Sequence, residues 1–111
     1  MTRHDRLHHV AVTVDDIARA VSWYRQRFGC GIAYQDETWA LLDFDNFKLA
    51  LVLPQQHPPH LAVCRPDAES FGALHEHRDG TRSTYTRDPW GNCIEVLDSA
   101  SVEAAEATAG G

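Results

Sequence analysis

The sequence predicts an α+β fold made of two repeated βαβββ modules, of which the second is shorter. The segment HHVAVTVDD near the start returns as HLAVCRPDA halfway along, and DFDNFKLALV returns as DPWGNCIEVL near the end. Each copy opens with an alternating apolar run typical of a strand, and a proline-rich segment separates the copies. The chain, residues 1–111, is therefore predicted to be one domain with two related halves.

The composition limits the partners that the chain can have. With 111 residues and 43% hydrophobic content, it can bury a modest core. A formal charge of -6 and scattered lysines and arginines argue against nucleic acid or an anionic membrane, so a small molecule or another protein is expected. No apolar run reaches the roughly 18 residues of a membrane span, and the start MTRHDRLHH has no signal-peptide core. A cytoplasmic location is expected.

The first module, about residues 7–53, is predicted to begin with a strand over 8–14, where valines alternate with other residues. A helix over 17–28 follows, because its apolar residues recur at helical spacing. Asp15 or Asp16 is expected to cap the start of this helix, and the glycines just behind it are expected to end it. Three short apolar runs bounded by turn residues then predict strands over 32–36, 38–44 and 47–53.

The second module, about residues 60–98, follows the linker PQQHPP, 54–59, whose prolines cannot continue a sheet. A helix is predicted from Pro66-Asp67 to about His77. Strands are predicted over 60–65, 81–87 and 92–98. The small, polar tail 99–111 is expected to be a frayed helix or disordered.

Three cysteines lie far apart inside apolar runs, at Cys30, Cys64 and Cys93. An odd number without a C-x-x-C pair favours reduced, packed thiols over a disulfide or thiolate metal ligands. They are not expected to form the site.

Two modules that begin with H-x-A-V, the second ending in D-P-x-G-N-x-I-E, resemble the vicinal oxygen chelate superfamily. This superfamily includes glyoxalases, fosfomycin-resistance enzymes, methylmalonyl-CoA epimerases, extradiol dioxygenases and bleomycin-resistance binding proteins. The resemblance covers about residues 7–98. It implies two modules pairing into a curved, barrel-like sheet around a central cavity, with a divalent metal ion held by the first and last strand of each module.

The resemblance implies metal ligands at four positions, here His9, Ala50, His60 and Glu95. Ala50 has no donor atom, so three ligands remain. Two imidazoles and one carboxylate form the facial triad typical of non-heme Fe(II) enzymes. The expected cofactor is one divalent ion, Fe(II) or Mn(II) in first place and Zn(II) or Ni(II) as alternatives. The open coordination positions suit a substrate that binds through two adjacent oxygens.

Alternatives exist for each ligand. A lone histidine at a strand entrance is usually only a polar residue, but the repeat from His9 to His60 favours a ligand role. His8 is expected to point outward because strand side chains alternate, although a shift of one residue would make it the ligand instead. Glu95 lies in the apolar strand CIEVL, where a buried carboxylate needs a compensating cation, unless its side chain faces outward.

The segment YTRDPWGNCIE predicts further site residues. Five of its positions match the extradiol dioxygenase signature, namely Tyr85, Asp88, Pro89, Gly91 and Glu95. Asp88, Pro89 and Gly91 are expected to build a turn. By resemblance, Tyr85 would bond a substrate oxygen, and core packing is its alternative. His77 is a candidate acid–base group or a solvated histidine at a helix end.

Four other side chains are candidates for substrate binding. Tyr34, Trp39 and Trp90 would wall an aromatic substrate, and core packing is their alternative. Arg87 would anchor an anionic group, and a surface ion pair is its alternative.

These observations together predict a divalent-metal-dependent enzyme of the glyoxalase and dioxygenase type that leans to dioxygenase-like chemistry. The alternatives are a glyoxalase-like lyase or isomerase, a fosfomycin-type thiol transferase and a non-catalytic, drug-binding protein like the bleomycin-resistance proteins. A homodimer is expected, because small members of the superfamily usually pair and a short second module leaves a strand edge to cover.

Overall fold

The computed structural model describes residues 4–110 and divides the chain into two compact units. The first unit is His8–Leu61, and the second is Ala62–Gly111 together with Met1–Leu7. The two units correspond closely to the two predicted modules.

The first unit has the predicted order of one strand, one helix and three strands. Its elements are β1 (Arg6–Thr13), α1 (Ile17–Arg27), β2 (Gly31–Gln35), β3 (Trp39–Asp43) and β4 (Lys48–Val52). The strands lie in the order β2-β3-β4-β1. β4 runs parallel to β1 and antiparallel to β3, so the first and last strands of the module are neighbours.

Helix α1 begins at the predicted residue, but it does not end at a glycine. The carboxylate of Asp16 accepts a hydrogen bond from the backbone N–H of Arg19 at 3.0 Å, which satisfies one free amide of the first turn. The helix ends at Arg27, because Phe28 is extended at φ −133° while its N–H still bonds the Tyr24 carbonyl. The prediction that a glycine ends this helix was therefore wrong.

The two faces of the first unit's sheet carry different contacts. One face packs against α1, where Ile17, Ala20 and Val21 meet Ala40, Leu42 and Leu51 in a buried cluster. Burying leucines of this kind contributes about 1.5–3 kcal/mol each. The other face carries a second apolar cluster, composed of Ala11, Leu41, Ala50 and Val52 with Tyr34 and Trp39 beside it. His9 shares this second face with Ala11, because alternate residues of a strand point the same way.

The second unit repeats the strand order of the first. Its elements are β5 (His60–Arg65, of which His60 and Leu61 belong to the first unit), a 3-10 helix (Ala68–Phe71), β6 (His75–Glu76), β7 (Arg82–Arg87), β8 (Cys93–Asp98) and α2 (Ser99–Gly110). The order β5-β8-β7-β6 again puts the module's first strand beside its last. The same strand order in both units confirms the predicted repeat.

The helix predicted to reach His77 was wrong, because only the short 3-10 helix forms there. Asp67, the counterpart of Asp16, does not cap it, since its carboxylate bonds the Arg65 guanidinium at 2.8 and 3.0 Å. Gly72 then adopts φ 155° and ψ −179°, a conformation that excludes helix and is essentially restricted to glycine. The chain then continues into β6, so the second module is shorter than the first because its helix is shorter.

The tail forms α2, which is anchored at its start. Ser101 Oγ accepts a hydrogen bond from the Arg82 N–H at 2.9 Å and donates one to the Asp98 carbonyl at 2.8 Å. Val102 packs with Ala62 and Leu97. The tail's last residue, Gly111, lies outside the described residues.

The three cysteines are free thiols, as predicted. Within residues 4–110, no helix combines the length and the apolar character needed to cross a membrane.

Candidate metal centre

A pair of buried histidines lies in the first unit, at the positions where the two copies of the repeat begin. His9 and His60 are each only 8% exposed. Their Nε2 atoms are 3.3 Å apart, and their rings meet edge to face at 5.4 Å. Two imidazole nitrogens that face each other at this distance need a proton or a cation between them, because two lone pairs would repel.

The tautomer of His60 follows from its second nitrogen. Nδ1 of His60 lies 2.9 Å from the carbonyl oxygen of Pro58. A carbonyl only accepts, so Nδ1 carries the hydrogen, and in the neutral ring the lone pair is on Nε2. Metal-binding histidines are commonly oriented by such a bond to a backbone carbonyl. His60 therefore directs a ligand-competent nitrogen toward His9.

The second nitrogen of His9 faces His8, whose side chain was expected to point outward. Nδ1 of His8 lies 2.8 Å from Nδ1 of His9, and His8 is only half-buried. The expectation that the His8 side chain is turned away was wrong, because its ring folds back to the ring of His9. When His9 Nδ1 donates to His8, Nε2 of His9 also carries a lone pair, and the pair with His60 is then ready to bind a cation.

Glu95 lies in β8 of the second unit and is 4% exposed. Its Oε2 accepts a hydrogen bond from Ser83 Oγ at 2.7 Å and lies 3.2 Å from Nε2 of His77. The sequence predicted a buried carboxylate that needs compensation, and these two side chains supply part of it. Both units therefore hold buried donors of the kind that divalent ions bind, two imidazoles in the first and one carboxylate in the second.

His77 does not lie at a helix end, because the predicted helix is absent. It follows β6 and is half-buried beside Ser83 and Glu95. The hydrogen bond with Glu95 raises the pKa of His77, against the effect of burial, and the negative charges of Glu95 and Asp79 act in the same direction as that bond. His77 contacts the candidate metal ligand.

Tyr85 lies directly opposite Glu95 in the antiparallel pair of β7 and β8. Opposite residues point to the same face, which the sequence alone did not establish. Burial raises the pKa of Tyr85 above its ordinary value, and the negative charge of Glu95 and a hydrogen bond with it raise it further. The phenol therefore keeps its proton at neutral pH and acts as a hydrogen-bond donor.

The candidate substrate-binding residues fall in two places. Tyr34 and Trp39 stack at 4.5 Å between ring centroids in the first unit, beside the apolar cluster that contains Ala50. Arg87 and Trp90 lie at the tip of the β7–β8 turn, where Arg87 donates to the Gly91 carbonyl at 2.9 Å and Trp90 is 82% exposed.

The same turn explains the matched signature residues around it. Asp88 accepts hydrogen bonds from the backbone N–H groups of Trp90 and Asn92, each at 2.9 Å, and Gly91 has φ 87°. These are turn-forming roles, as predicted for Asp88 and Gly91.

Ser83 and the Pro58 carbonyl contact candidate ligands, and the sequence analysis missed both of them. Alternation along β7 places Ser83 on the same face as Tyr85, a signal that would have identified it once Tyr85 was a candidate. Nothing in the sequence marks the Pro58 carbonyl, because its role depends on the path of the linker.

Comparison with protein families decides the assignment. The model of the Glyoxalase/Bleomycin resistance protein/Dioxygenase superfamily matches residues 6–72. The chain belongs to this superfamily. The vicinal oxygen chelate resemblance inferred from the repeat is thereby confirmed. Comparison with curated proteins finds no match.

Solved structures of low sequence identity share the fold. A hypothetical protein from Bacillus halodurans C-125 aligns with TM-score 0.68 and 12% identity over 86% of this chain and 94% of its own. A superfamily member from Vibrio splendidus 12B01 aligns with TM-score 0.64 and 15% identity, over 85% of this chain and 98% of its own. Methylmalonyl-CoA epimerase from Mycobacterium tuberculosis aligns with TM-score 0.63 and 20% identity, over 89% of this chain and 91% of its own. At these identities the likeness concerns the fold alone.

Proposed function

We propose that this superfamily member is a divalent-metal-dependent enzyme in which His9, His60 and Glu95 hold one metal ion. The observation that carries the proposal is the meeting of two buried Nε2 atoms at 3.3 Å, with the other nitrogen of each ring already in a hydrogen bond. This is the arrangement of imidazoles prepared to bind a cation.

The donor chemistry fits such an ion. Each of the three buried side chains offers one ligand atom, and together they form a group that can hold a metal ion. Two neutral imidazoles and one carboxylate leave coordination positions for substrate, which suits Fe(II) or Mn(II) first and Zn(II) or Ni(II) as alternatives. Ala50 supplies no fourth ligand.

The substrate we propose is a small molecule with two adjacent oxygens. A bound divalent ion would supply Lewis acidity that stabilises negative charge on those oxygens. Tyr85, which keeps its proton, donates a hydrogen bond to a substrate oxygen, and Tyr34 and Trp39 contact an apolar or aromatic part of the substrate. Dioxygenase-like chemistry is our first choice, because the donor set is two imidazoles and one carboxylate and the segment YTRDPWGNCIE matches the extradiol signature.

Metal analysis of protein purified without chelators tests this proposal. Wild type is expected to hold one equivalent of metal per chain, and Glu95→Ala and His9→Ala are expected to lose it. Matched controls are Glu76→Ala and His75→Ala, which remove exposed residues of the same type and should bind like wild type. Equal metal content in wild type and Glu95→Ala would refute the proposed site.

Activity measurements then separate the reaction classes. Oxygen uptake with catechols supports the dioxygenase, whereas turnover of glyoxal–thiol adducts without oxygen uptake supports a lyase or isomerase instead. Ligand binding that is unaffected by chelator contradicts the metalloenzyme and favours a non-catalytic binding protein. The homodimer and the cytoplasmic location stay predictions, and sedimentation equilibrium tests the first.

A further inference from the structure

Ser83 is a fully buried hydroxyl at the centre of the second unit's polar network. Its exposed fraction is 0%, and its Oγ lies 2.7 Å from Oε2 of Glu95 and 2.6 Å from Nε2 of His77. A buried hydroxyl without partners is unfavourable, because it has lost its hydrogen bonds to water. Ser83 avoids that cost by joining two side chains that come from different parts of the unit.

The chemistry of the three groups fixes the direction of their hydrogen bonds. An ionised carboxylate only accepts, so the single O–H of Ser83 donates to Glu95. Ser83 Oγ can then only accept from His77, whose Nε2 must carry a hydrogen. That nitrogen also lies 3.2 Å from Oε2 of Glu95. The hydrogens of Ser83 Oγ and His77 Nε2 therefore both stabilise the ionised form of Glu95.

The ring of His77 projects from a well-defined turn. The backbone N–H of His77 donates to the Thr81 carbonyl at 2.7 Å, and the Gly80 N–H donates to the His77 carbonyl at 3.0 Å. Asp79 Oδ1 accepts from both the N–H and the hydroxyl of Thr81, at 3.0 and 2.7 Å. Gly80 has φ 89°, which the turn needs and glycine allows. The ring of His77 therefore extends from a hydrogen-bonded turn.

We propose that Ser83 and His77 are positioning residues that hold the Glu95 carboxylate by Oε2 and so present Oε1 to the metal ion. Both side chains contact the same oxygen of Glu95, and both stabilise the charged form that binds metal. This inference rests on the proposed function. Hydrogen-bond partners of metal ligands of this kind typically change metal affinity by about 10- to 100-fold.

The test compares two deletions of a buried hydroxyl on the same strand. Ser83→Ala removes the hydroxyl that faces Glu95, and Thr84→Val removes the neighbouring one, which lies on the opposite face of β7. Dissociation constants for Mn(II) are measured by chelator competition, with circular dichroism to confirm folding. Ser83→Ala is expected to bind about 10- to 100-fold more weakly than wild type, and Thr84→Val within about twofold.

Variants of His77 make the test independent of how well Ser83→Ala folds. His77→Gln keeps an N–H donor and should lose less affinity than His77→Ala. The visible spectrum of bound Co(II), which reports the ligand field, should shift in Ser83→Ala and not in Thr84→Val. Wild-type affinity in Ser83→Ala and His77→Ala, or an equal loss in Thr84→Val, would overturn the inference while loss of metal in Glu95→Ala upholds the site. Wild-type affinity in Glu95→Ala would overturn the proposed function itself.

Discussion

The chemistry of this chain depends on which nitrogen of each histidine carries a proton. His60 has its tautomer fixed by a carbonyl, which can only accept a hydrogen bond. Nδ1 of His9 faces Nδ1 of His8, which can donate or accept, so this contact does not fix the His9 tautomer. In its neutral form His60 therefore carries a lone pair on Nε2, whereas His9 does so only when its hydrogen is on Nδ1.

Tyr85→Phe separates metal binding from substrate binding at the scale of one atom. Tyr85 is proposed to contact substrate and is not one of the three ligands, but it hydrogen-bonds Glu95, so its loss should weaken Mn(II) binding by no more than about 10- to 100-fold, and turnover is compared at saturating Mn(II). Turnover should fall about 100-fold or more, since general-acid and hydrogen-bond donors of this kind contribute about 10²–10⁴-fold. Parallel chelator competition and steady-state kinetics measure both effects. Loss of metal in this variant would contradict the assignment.

The candidate ligand positions could be identified from the sequence because they lie at equivalent points of a repeat. His9 and His60 each open a module, and Glu95 stands where the first module has Ala50. Ser83 and the Pro58 carbonyl could not be predicted in the same way, because their roles depend on strand register and linker path. Side-chain alternation reports the face of a residue but not its partner across the sheet.

At the scale of elements, alternation and turn residues predicted every strand except β6, which has only two residues. The predicted long second helix does not form, because two local features oppose it. Arg65 takes the carboxylate of Asp67 that would cap the helix, and Gly72 takes a conformation that breaks it. The start signal Pro66-Asp67, on which the prediction was based, carries no information about either event.

Gly72→Ala tests this explanation. A Cβ at this position would lie 2.7 Å from Thr84 Oγ1, and φ 155° with ψ −179° is unfavourable for any residue with a side chain. We expect a loss of about 1–3 kcal/mol in the free energy of unfolding, measured by urea denaturation. Gly29→Ala is the matched control, because a Cβ there meets nothing within 4 Å and Gly29 is not among the positive-φ glycines of the described chain. Equal effects of the two variants would contradict the account.

The turn between β2 and β3 depends on Asp36 and should therefore weaken in acid. Burial opposes its ionisation, but hydrogen bonds from Tyr34, Thr38 and Trp39 outweigh burial and hold the pKa of Asp36 well below its ordinary value. A carboxyl with a lowered folded-state pKa stabilises the protein above its unfolded pKa, near about 4, and this contribution is lost as pH falls further.

Asp36→Asn is accordingly expected to be less stable than wild type at pH 7, with a difference that narrows below about pH 4. Thermal unfolding of both proteins across pH 2–7 measures this. Asn46→Ser, in the next turn of the same unit, changes no titrating group and is the control, which should show no such pH-dependent gap. A gap for Asp36→Asn that widens toward low pH would be the contrary result.

At the scale of the whole molecule, the two halves share a strand order but differ in chemistry. Ala50 and Glu95 occupy equivalent positions in β4 and β8, and both are buried. Ala50 shares a face with His9, because it pairs with Ala11 of β1. At the position in the first unit that corresponds to Glu95, this sequence therefore has no donor atom.

Ala50→Glu should make stability depend on metal. Without metal, a new buried carboxylate is expected to cost several kcal/mol of stability. Added Mn(II) should restore more stability to this variant than to wild type, because a ligand that binds the folded state stabilises it. Ala50→Gln, which has the same size without the charge, is the control in thermal unfolding with chelator or metal. No greater rescue of the glutamate than of the glutamine variant would contradict a shared site.

In the proposed metal site, His9, His60 and Glu95 bind one divalent ion. The most direct measurement is a crystal structure of the chain grown with Zn(II), with an anomalous difference map at the zinc edge. The account predicts one strong peak per chain, at about 2.0–2.2 Å from Nε2 of His9, Nε2 of His60 and one carboxylate oxygen of Glu95. A map with no peak there, or with zinc bound only elsewhere, would contradict it.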